Sequence, residues 1–279
     1  MDKKIVLITG ANSGTGKASS IELAKLGFKV VMMCRSRERG QAALIDVKEE
    51  SGSDQVDLMI CDLASLESVR DFCREFKNKY NRLDVLLNNA GVILPGRHET
   101  KDGYELQFGV NHLGHFLLTN LLLDLIIKSS PSRIINVASG GHKAGKIHFD
   151  DINLTKGFTM SKAYAQSKLA NVLFTFELAR RLEGSGVTVN TLHPGAVGSN
   201  IAVNRDTGFG KTVLRILKPF FQTPKKGSET AIYLATSTEL EGISGEYFYK
   251  KKIVKSSDLS RDEKLAERLW KLSEEMVGL

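Results

Sequence analysis

The first residues of the chain place a strand, a glycine-rich turn and a helix directly after one another. Residues 4–9 are apolar enough for a buried strand, and helical periodicity runs over residues 17–26. The turn between them carries Gly10, Gly14 and Gly16. Glycines let a backbone approach a pyrophosphate closely, and the N–H groups that open a helix attract its charge. The turn therefore predicts a dinucleotide site, although a plain tight turn between strand and helix would use the same glycines.

Strand-like and helix-like segments alternate along the rest of the chain of 279 residues, and no linker interrupts them. Further strands are predicted over residues 29–33, 56–61, 83–87, 133–137, 187–192 and 246–249. Alternation of this kind is typical of α/β proteins. We therefore expect a single domain over residues 1–279, with a Rossmann-type, doubly wound, mostly parallel sheet of seven strands and helices on both faces.

The residues after the second strand bear on the choice of dinucleotide. An acidic residue normally grips the ribose 2′-hydroxyl at this point, but the chain has Arg35 and Arg37 around Ser36. A carboxylate would repel a 2′-phosphate, whereas a guanidinium can pair with it. Arg35, with Lys17 near the glycine turn, therefore predicts NADP(H). In the alternative reading the arginines only open the next helix, and the cofactor is NAD.

Two later strands end in polar residues. Asp62 follows the third strand, where its carboxylate could hold an adenine amino group or simply open the next helix. The fourth strand runs into Asn89, Ala90 and Gly91. An asparagine can hydrogen-bond the local backbone while a glycine lets a ligand come close.

A predicted long helix ending near residue 182 carries Tyr164 and Lys168 at positions i and i+4, on one face. A free tyrosine has a pKa of about 10, and an adjacent ammonium favours the phenolate and lowers that pKa. The pair therefore predicts a proton-transfer catalyst, whereas two such residues on a solvated helix face would do nothing.

Composition excludes several other classes of function. The net charge of +7 comes with no recognised nucleic-acid motif, and the basic residues alternate with acids, so we expect a solvated surface and no nucleic-acid partner. His112 and His115 have no third ligand in view, so no metal site is expected. The three cysteines and a first strand close to Met1 predict a cytoplasmic protein.

Taken together, these motifs resemble those of the short-chain dehydrogenases/reductases, over essentially the whole chain. The residues in question are Thr9-Gly10-x-x-x-Gly14-x-Gly16, Asn88-Asn89-Ala90-Gly91, Ser139, Tyr164-x-x-x-Lys168 and Pro194-Gly195. The segments 110–119 and 167–171, and the long interval between Ser139 and Tyr164, resemble the retinol-dehydrogenase-like branch.

The resemblance implies a role for each matching residue. Tyr164 would be the acid/base, Lys168 its pKa partner and a ligand of the nicotinamide ribose, Ser139 the group that polarises the substrate carbonyl, and Asn111 the holder of a water in a proton relay. The expected cofactor contacts are Gly10, Asn12, Ser13, Gly14, Thr15, Gly16, Arg35, Asp62, Leu63, Asn89, Ala90, Gly91, Tyr164, Lys168, Pro194, Gly195, Val197 and Ser199.

The chain departs from the family pattern at a few positions. Thr15 replaces an apolar residue, for which we expect a local packing cost with binding retained. Ala138 replaces a serine that is frequent in the branch, and Ser199 replaces a threonine that commonly binds the carboxamide.

A lid is expected over residues 200–224, with an apolar face that caps an apolar substrate pocket. The lid also carries a basic stripe at Lys211, Arg215 and Lys218. In the alternative reading the same face lies on a membrane surface, where one short segment would bind weakly. Both readings predict a lipophilic alcohol, aldehyde or ketone as substrate. The family habit further implies a homo-oligomer, a dimer or tetramer through the helices at 106–129 and 164–182. A cofactor-sensing protein without catalysis would be expected to lack one of the four catalytic residues.

Overall fold

The computed structural model describes residues 3–195 and 222–279, and within them eight strands form one sheet. The strands are β1 Ile5–Thr9, β2 Lys29–Cys34, β3 Val56–Ile60, β4 Val85–Asn88, β5 Ser132–Val137, β6 Val187–Leu192, β7 Tyr247–Tyr249 and β8 Lys252–Ile253. They lie in the order β3-β2-β1-β4-β5-β6-β7-β8, and all neighbours are parallel except β7 and β8. The predicted doubly wound α/β fold is confirmed, with one short antiparallel strand added at the edge.

Helices cover both faces of this sheet. They are α1 Gly14–Lys25, α2 Arg37–Ser51, α3 Leu66–Lys79, α4 Leu106–Lys128, α5 Met160–Arg181, α6 Pro224–Thr236 and α7 Glu263–Val277. Alternate residues of β1 point to opposite faces, so Val6 and Ile8 pack towards α1, α2 and α6, while Leu7 packs towards α3, α4, α5 and α7. All five residues of β1 are buried, as a strand covered on both sides requires.

The long helix α4 contains one π-helical turn at Gly109–Leu113. An extra residue in one turn shifts the faces of the helix against each other, and such turns are frequent at functional sites. The sequence predicted the helix but not this turn. By length and composition, α4 is also the one described helix that could cross a membrane, but 72% of its most apolar window is buried within the fold. It is therefore a core helix of this domain.

The C-terminal helix α7 covers the outer face of α4 and α5. The ring of Trp270 lies 4.9 Å from Phe116 and 5.8 Å from Phe174, centroid to centroid. His112 Nε2 donates to Ser273 Oγ at 2.8 Å, and that hydroxyl donates onward to Leu269 O. Side chains of α7 thus occupy the helix face through which an oligomer was expected to form.

The lysine-rich segment after β7 is a tight turn between β7 and β8. Lys250 and Lys251 both have positive φ, 50° and 64°, and Lys252 opens β8. The backbone reverses within these two residues, so Phe248 pairs with Ile253 across the hairpin. Two left-handed lysines are unusual, because a Cβ disfavours this conformation.

Candidate active site

The predicted site residues gather where the order of strands reverses. The chain winds outward from β1 in one direction through β2 and β3, and in the other through β4 and β5. The carboxyl ends of β1 and β4 therefore leave a crevice between their connections, which is where ligands bind in such sheets. Thr9 joins the two strand ends, because its Oγ1 accepts hydrogen bonds from the N–H groups of Asn89 and Ala90, each at 2.9 Å.

The glycine turn leaves no room for side chains at two of its glycines. Gly10 has φ +66°, and a Cβ there would lie 3.0 Å from Cα of Ala90. A Cβ at Gly16 would collide with the carbonyl oxygen of Gly10. Only glycine lets the backbone of the turn pack this closely against β4 and the start of α1.

The start of α1 is open to an anion. Ser13 occupies the N-cap position, but its side chain makes no capping hydrogen bond, and the first turn of the described helix α1 carries no acidic residue. The N–H groups of that turn therefore point outward without a side-chain partner, beside the half-buried Asn12. A pyrophosphate fits the residues present, since both the donors and the helix dipole favour negative charge there.

Thr15 makes a polar contact where a packing cost was expected. Its hydroxyl donates to Oδ1 of Asn89 at 2.8 Å, and Nδ2 of Asn89 donates to Thr9 O at 2.8 Å. The threonine thus ties α1 to the end of β4 through a hydrogen bond. The sequence could not reveal this, because Thr15 and Asn89 are distant in the chain.

The basic residues near the predicted 2′-phosphate position differ in their surroundings. Arg35 is exposed at the end of β2, and Arg39 is partly buried in the first turn of α2. No ion pair among the described residues engages either of them. Lys17 is instead held by carboxylates of α2, with its Nζ 2.7 Å from Asp46 and 3.5 Å from Glu50. Arg39 is a second candidate for a phosphate that the sequence did not single out.

The remaining predicted cofactor contacts lie along the same edge of the sheet. Asp62 lies in the turn between β3 and α3, where its Oδ1 accepts a hydrogen bond from Ala64 N at 3.0 Å, and Leu63 beside it is buried. Gly91 follows β4, and Pro194 and Gly195 follow β6, where Gly195 has φ +83°. Val197, Ser199 and the predicted lid up to residue 221 lie outside the described residues.

Three of the predicted catalytic residues meet beyond the end of β5. Ser139 caps a short 3₁₀ turn at Gly140–Ala144, and its hydroxyl lies near enough to the phenol of Tyr164 on α5 to lower the pKa of that phenol. Nζ of Lys168 lies 5.7 Å from the centre of the Tyr164 ring. The arrangement can hold an oxygen atom between a hydroxyl and a phenol, which is what proton exchange at a carbonyl requires.

The protonation of this pair is not as expected. Burial raises the pKa of Tyr164, and the hydrogen bond from Ser139 offsets only part of that rise. Lys168 is fully buried and donates to Val137 O at 3.1 Å, and burial lowers its pKa to about 8. The pKa of Tyr164 below its ordinary value that the sequence predicted is therefore not found in this structure, because loss of solvent outweighs the effect of Ser139. The role of Lys168 as the pKa partner of Tyr164 stays a prediction.

Asn111 sits inside the π-helical turn of α4. Its Oδ1 accepts from Val92 N at 2.7 Å, and its Nδ2 donates to Val92 O and to Ser167 Oγ, both at 3.0 Å. The side chain thus clamps the loop after β4 against α5. Its main-chain carbonyl accepts from Nδ1 of His115 at 3.1 Å.

The two histidines of α4 have separate buried partners. Nε2 of His115 lies 2.9 Å from the hydroxyl of Thr9, which donates because its oxygen already accepts two N–H groups. Burial lowers the pKa of His115 to about 4 and that of His112 to about 3, so both rings are neutral at pH 7. His115 therefore links the π-helical turn to β1, a role that the sequence did not indicate.

Comparison with known proteins agrees with this site. Residues 4–208 match the family model described as short chain dehydrogenase. Retinol dehydrogenase 14 from Homo sapiens is 48% identical over 300 residues, covering all of this chain and 88% of the relative. Among solved structures, an uncharacterised protein from Mycobacterium paratuberculosis is similar with a TM-score of 0.79 and 32% identity, over 99% of this chain and 93% of its own. A variant of actinorhodin polyketide ketoreductase, solved with NADPH, has a TM-score of 0.68 and 26% identity, over 88% of this chain and 95% of its own.

These similarities indicate the same family as the fold, the glycine turn and the cluster of Ser139, Tyr164 and Lys168. The chain belongs to the short-chain dehydrogenase/reductase family and is an oxidoreductase related to the retinol dehydrogenases.

Proposed function

We propose that this chain is an NADP(H)-dependent oxidoreductase that interconverts a lipophilic alcohol and its aldehyde or ketone. The observation that carries the proposal is the cluster of Ser139, Tyr164 and Lys168, placed at the same sheet edge as an open helix N-terminus. A phenol beside a hydroxyl suits proton exchange at an oxygen, and the helix start suits a dinucleotide. A dehydrogenase needs both proton exchange at the substrate oxygen and a bound dinucleotide.

The cofactor would supply or accept a hydride, and the side chains of the protein would manage the proton. Ser139 would donate a hydrogen bond to the carbonyl oxygen and orient it towards Tyr164. The phenol of Tyr164, protonated at pH 7, would give its proton to that oxygen during reduction and take it back during oxidation. Lys168 would hold a ribose hydroxyl, and the main-chain carbonyl of Asn111 would be the acceptor for a relay water.

The preference for NADP(H) rests on arginines. Arg35 lies at the end of β2 without a carboxylate partner among the described residues, and Arg39 follows one turn later. The ketoreductase to which the chain is similar was solved with NADPH. A guanidinium at this point favours the phosphorylated ribose, because it can make two parallel hydrogen bonds to phosphate.

The lipophilic substrate is inferred from the names of the relatives, which are retinol dehydrogenases, and from the apolar sequence of residues 207–223. That segment would form the lid of a single domain, with at most weak contact to membranes. A cytoplasmic location remains our expectation. A homo-oligomer through α4 and α5 also remains a prediction, and α7 already covers one face of these two helices.

The test is oxidation of NADPH by the purified protein against aldehydes and ketones graded by chain length, with NADH in parallel. We expect turnover that rises with chain length and a higher kcat/KM for NADPH. Turnover of short polar carbonyls alone would contradict the substrate class, and absence of turnover with NADPH bound would favour a cofactor-sensing protein.

The variant Tyr164→Phe tests the mechanism. It removes one hydroxyl and leaves the ring, so NADPH should bind with an unchanged Kd while kcat falls by about 100-fold or more. Wild-type turnover by this variant would show that another group exchanges the proton.

A further inference from the structure

We propose that His142 is a positioning residue for the catalytic serine: it fixes the main chain of Ser139 by bridging it to Ser257 in the C-terminal part of the chain. The catalytic role of Ser139 rests on the proposed function, whereas the contacts that His142 makes do not depend on it. His142 is not among the family residues that matched in the sequence, and its side chain is 0% exposed.

The partners of the ring define which nitrogen carries the proton. The N–H of Ser257 donates to Nε2 of His142 at 3.1 Å, so Nε2 has no hydrogen of its own. Nδ1 must then be protonated, and it lies 2.7 Å from the carbonyl oxygen of Ser139, to which it donates. The imidazole is thus a neutral bridge with one donor end and one acceptor end.

The serine needs such support because of the residues that follow it. Gly140 and Gly141 have no side chains to hold the turn by packing, and glycine loses more conformational freedom on ordering than other residues. The carbonyl oxygen of Ser139 accepts both the N–H and Nδ1 of His142, at 3.1 and 2.7 Å. Its hydroxyl meanwhile accepts from Gly141 N at 3.1 Å and contacts the phenol of Tyr164. Rotation of the Ser139 backbone would break this set of contacts together.

The far end of the bridge is itself rigid. Ser257 caps the 3₁₀ turn Asp258–Arg261, and the hydroxyl of Ser260 donates to Ser256 at 2.8 Å. Ser256 and Ser260 are buried, and the turn leads directly into α7. His142 therefore connects the catalytic turn to the same C-terminal segment that covers α4 and α5.

The surroundings keep this ring uncharged. Burial lowers the pKa of His142, the Ser139 carbonyl raises it in part, and Lys143 lowers it further. Across the ring lie Tyr247 on β7, at 4.8 Å between centroids, and then His193 after β6, whose pKa burial lowers to about 4. No carboxylate of the described residues shifts the pKa of His142 or of Tyr164. A neutral His142 positions Ser139 and does not itself exchange protons.

Two substitutions separate the two ends of the bridge. In His142→Asn the side-chain amide nitrogen takes the place of Nδ1, so it can donate to Ser139 O but cannot reach Ser257. In His142→Gln the side-chain amide reaches the position of Nε2, so it can accept from Ser257 N but loses the bond to Ser139. Both are measured in the full chain by kcat, KM, the Kd for NADPH and thermal unfolding.

We expect His142→Asn, which keeps the bond to Ser139 O but loses its anchor at Ser257, to lower kcat by about threefold. We expect His142→Gln, which loses the bond to Ser139, to lower kcat by about 10- to 100-fold, the scale of a misplaced catalytic group. KM and the Kd for NADPH should change little in both. Because the hydrogen bond from Ser139 lowers the pKa of Tyr164, the pH of half-maximal alcohol oxidation should also move upward in His142→Gln. Loss of stability alone would not move this pH.

Equal losses of kcat in both variants, or a wild-type kcat and pH profile in His142→Gln, would overturn the proposal. A test without turnover uses imidazole ¹H–¹⁵N NMR of the wild type, with His142→Gln to assign the signals. The proton should be on Nδ1 of His142, and a proton on Nε2 would contradict the bridge whether or not the protein is an enzyme. A wild type that shows the Nδ1 proton but no turnover would refute the proposed function and leave the bridge in place.

Discussion

Lys168 carries its amine into the core without a carboxylate partner among the described residues. It donates to Val137 O, an acceptor that Asn171 shares at 3.4 Å. Burial lowers the pKa of Lys168 to about 8 and raises that of Tyr164, so both groups are driven towards their neutral forms. The phenol therefore holds a proton at pH 7, which is the form that carbonyl reduction needs, but its raised pKa makes it a weaker acid than a free tyrosine.

The arginines after β2 give the first prediction at this scale. Removing a charged hydrogen-bond partner of phosphate costs about 1.5–3 kcal/mol, or about 10- to 100-fold in kcat/KM. We expect Arg35→Ala, and to a smaller extent Arg39→Ala, to lower kcat/KM for NADPH by this factor while the value for NADH stays constant.

Arg37→Ala is the matched control, because Arg37 lies in the same turn and carries the same charge, but was not assigned to the phosphate. Steady-state kinetics with both cofactors give the ratio. A ratio that is unchanged in both Arg35→Ala and Arg39→Ala would refute a 2′-phosphate site here.

At the scale of the elements, the turn of the β7–β8 hairpin has a sequence that is poorly suited to its backbone conformation. Two-residue hairpin turns with positive φ at both positions prefer Asn-Gly, whereas this chain uses Lys250 and Lys251. A left-handed conformation costs a residue with a Cβ about 1 kcal/mol. The lysines also make weak surface contacts, an ion pair of Lys251 with Glu229 at 3.8 Å among them.

Replacing Lys250 by Asn and Lys251 by Gly should therefore stabilise the protein by about 1 kcal/mol, after the loss of that ion pair is counted. Chemical denaturation gives the free energy of unfolding. The control is Lys252→Asn, which alters charge at a position with ordinary strand geometry. A double variant no more stable than the wild type would show that the turn is not strained.

The sequence predicted those elements whose signal is local. β1, the glycine turn and α1 follow from apolar runs and glycine spacing, and Ser65 caps α3 as expected, accepting from Ser68 N at 3.3 Å. β8 was missed because Lys-Lys is not a turn sequence. The π-helical turn was missed because one inserted residue leaves the apolar pattern of α4 nearly unchanged.

The sequence predicted which residues form the site, but it did not predict their pKa values. Spacing placed Tyr164 and Lys168 on one helix face, and they do lie together. The sign of the pKa change in Tyr164 depends on burial by residues far away in sequence, which spacing does not report. His142 was missed for the same reason, since its partner Ser257 lies in the C-terminal part of the chain.

At the scale of the whole molecule, buried neutral histidines couple folding to pH. Burial lowers the pKa of His112 to about 3, and those of His115 and His193 to about 4, against about 6.5 in an unfolded chain. Above pH 6.5 neither state binds these protons. Below it the unfolded chain takes them up and the folded protein does not, so stability falls as the pH is lowered.

We expect the free energy of unfolding to fall by up to about 4 kcal/mol per pH unit between about pH 6 and pH 4.5, from about 1.4 kcal/mol for each of the three rings. Denaturant titrations at several pH values measure the slope. In His193→Asn the amide oxygen can still accept from Gly195 N, as Nδ1 does at 3.2 Å. The variant also loses the stacking of the ring on Tyr249, which lowers stability at every pH but does not change the slope. That variant should have a slope smaller by about 1.4 kcal/mol per pH unit, and an unchanged slope would contradict the argument.

The position of α7 bears on assembly. Trp270, Ser273 and the end of the helix fill the face of α4 and α5, and Arg70 donates to Val277 O at its last turn. We expect that a homo-oligomer detected by light scattering is joined by a surface other than the face of α4 and α5 that α7 covers. Cross-links between α4 of one protomer and α4 of its partner would contradict this expectation.

The helix that covers the aromatic rings of Phe116 and Phe174 is the last of the described elements to leave the ribosome. Until then this apolar face is uncovered in the nascent chain, although all strands of the sheet beneath it have already been synthesised. During synthesis this face should accordingly stay available to chaperones until Trp270 emerges.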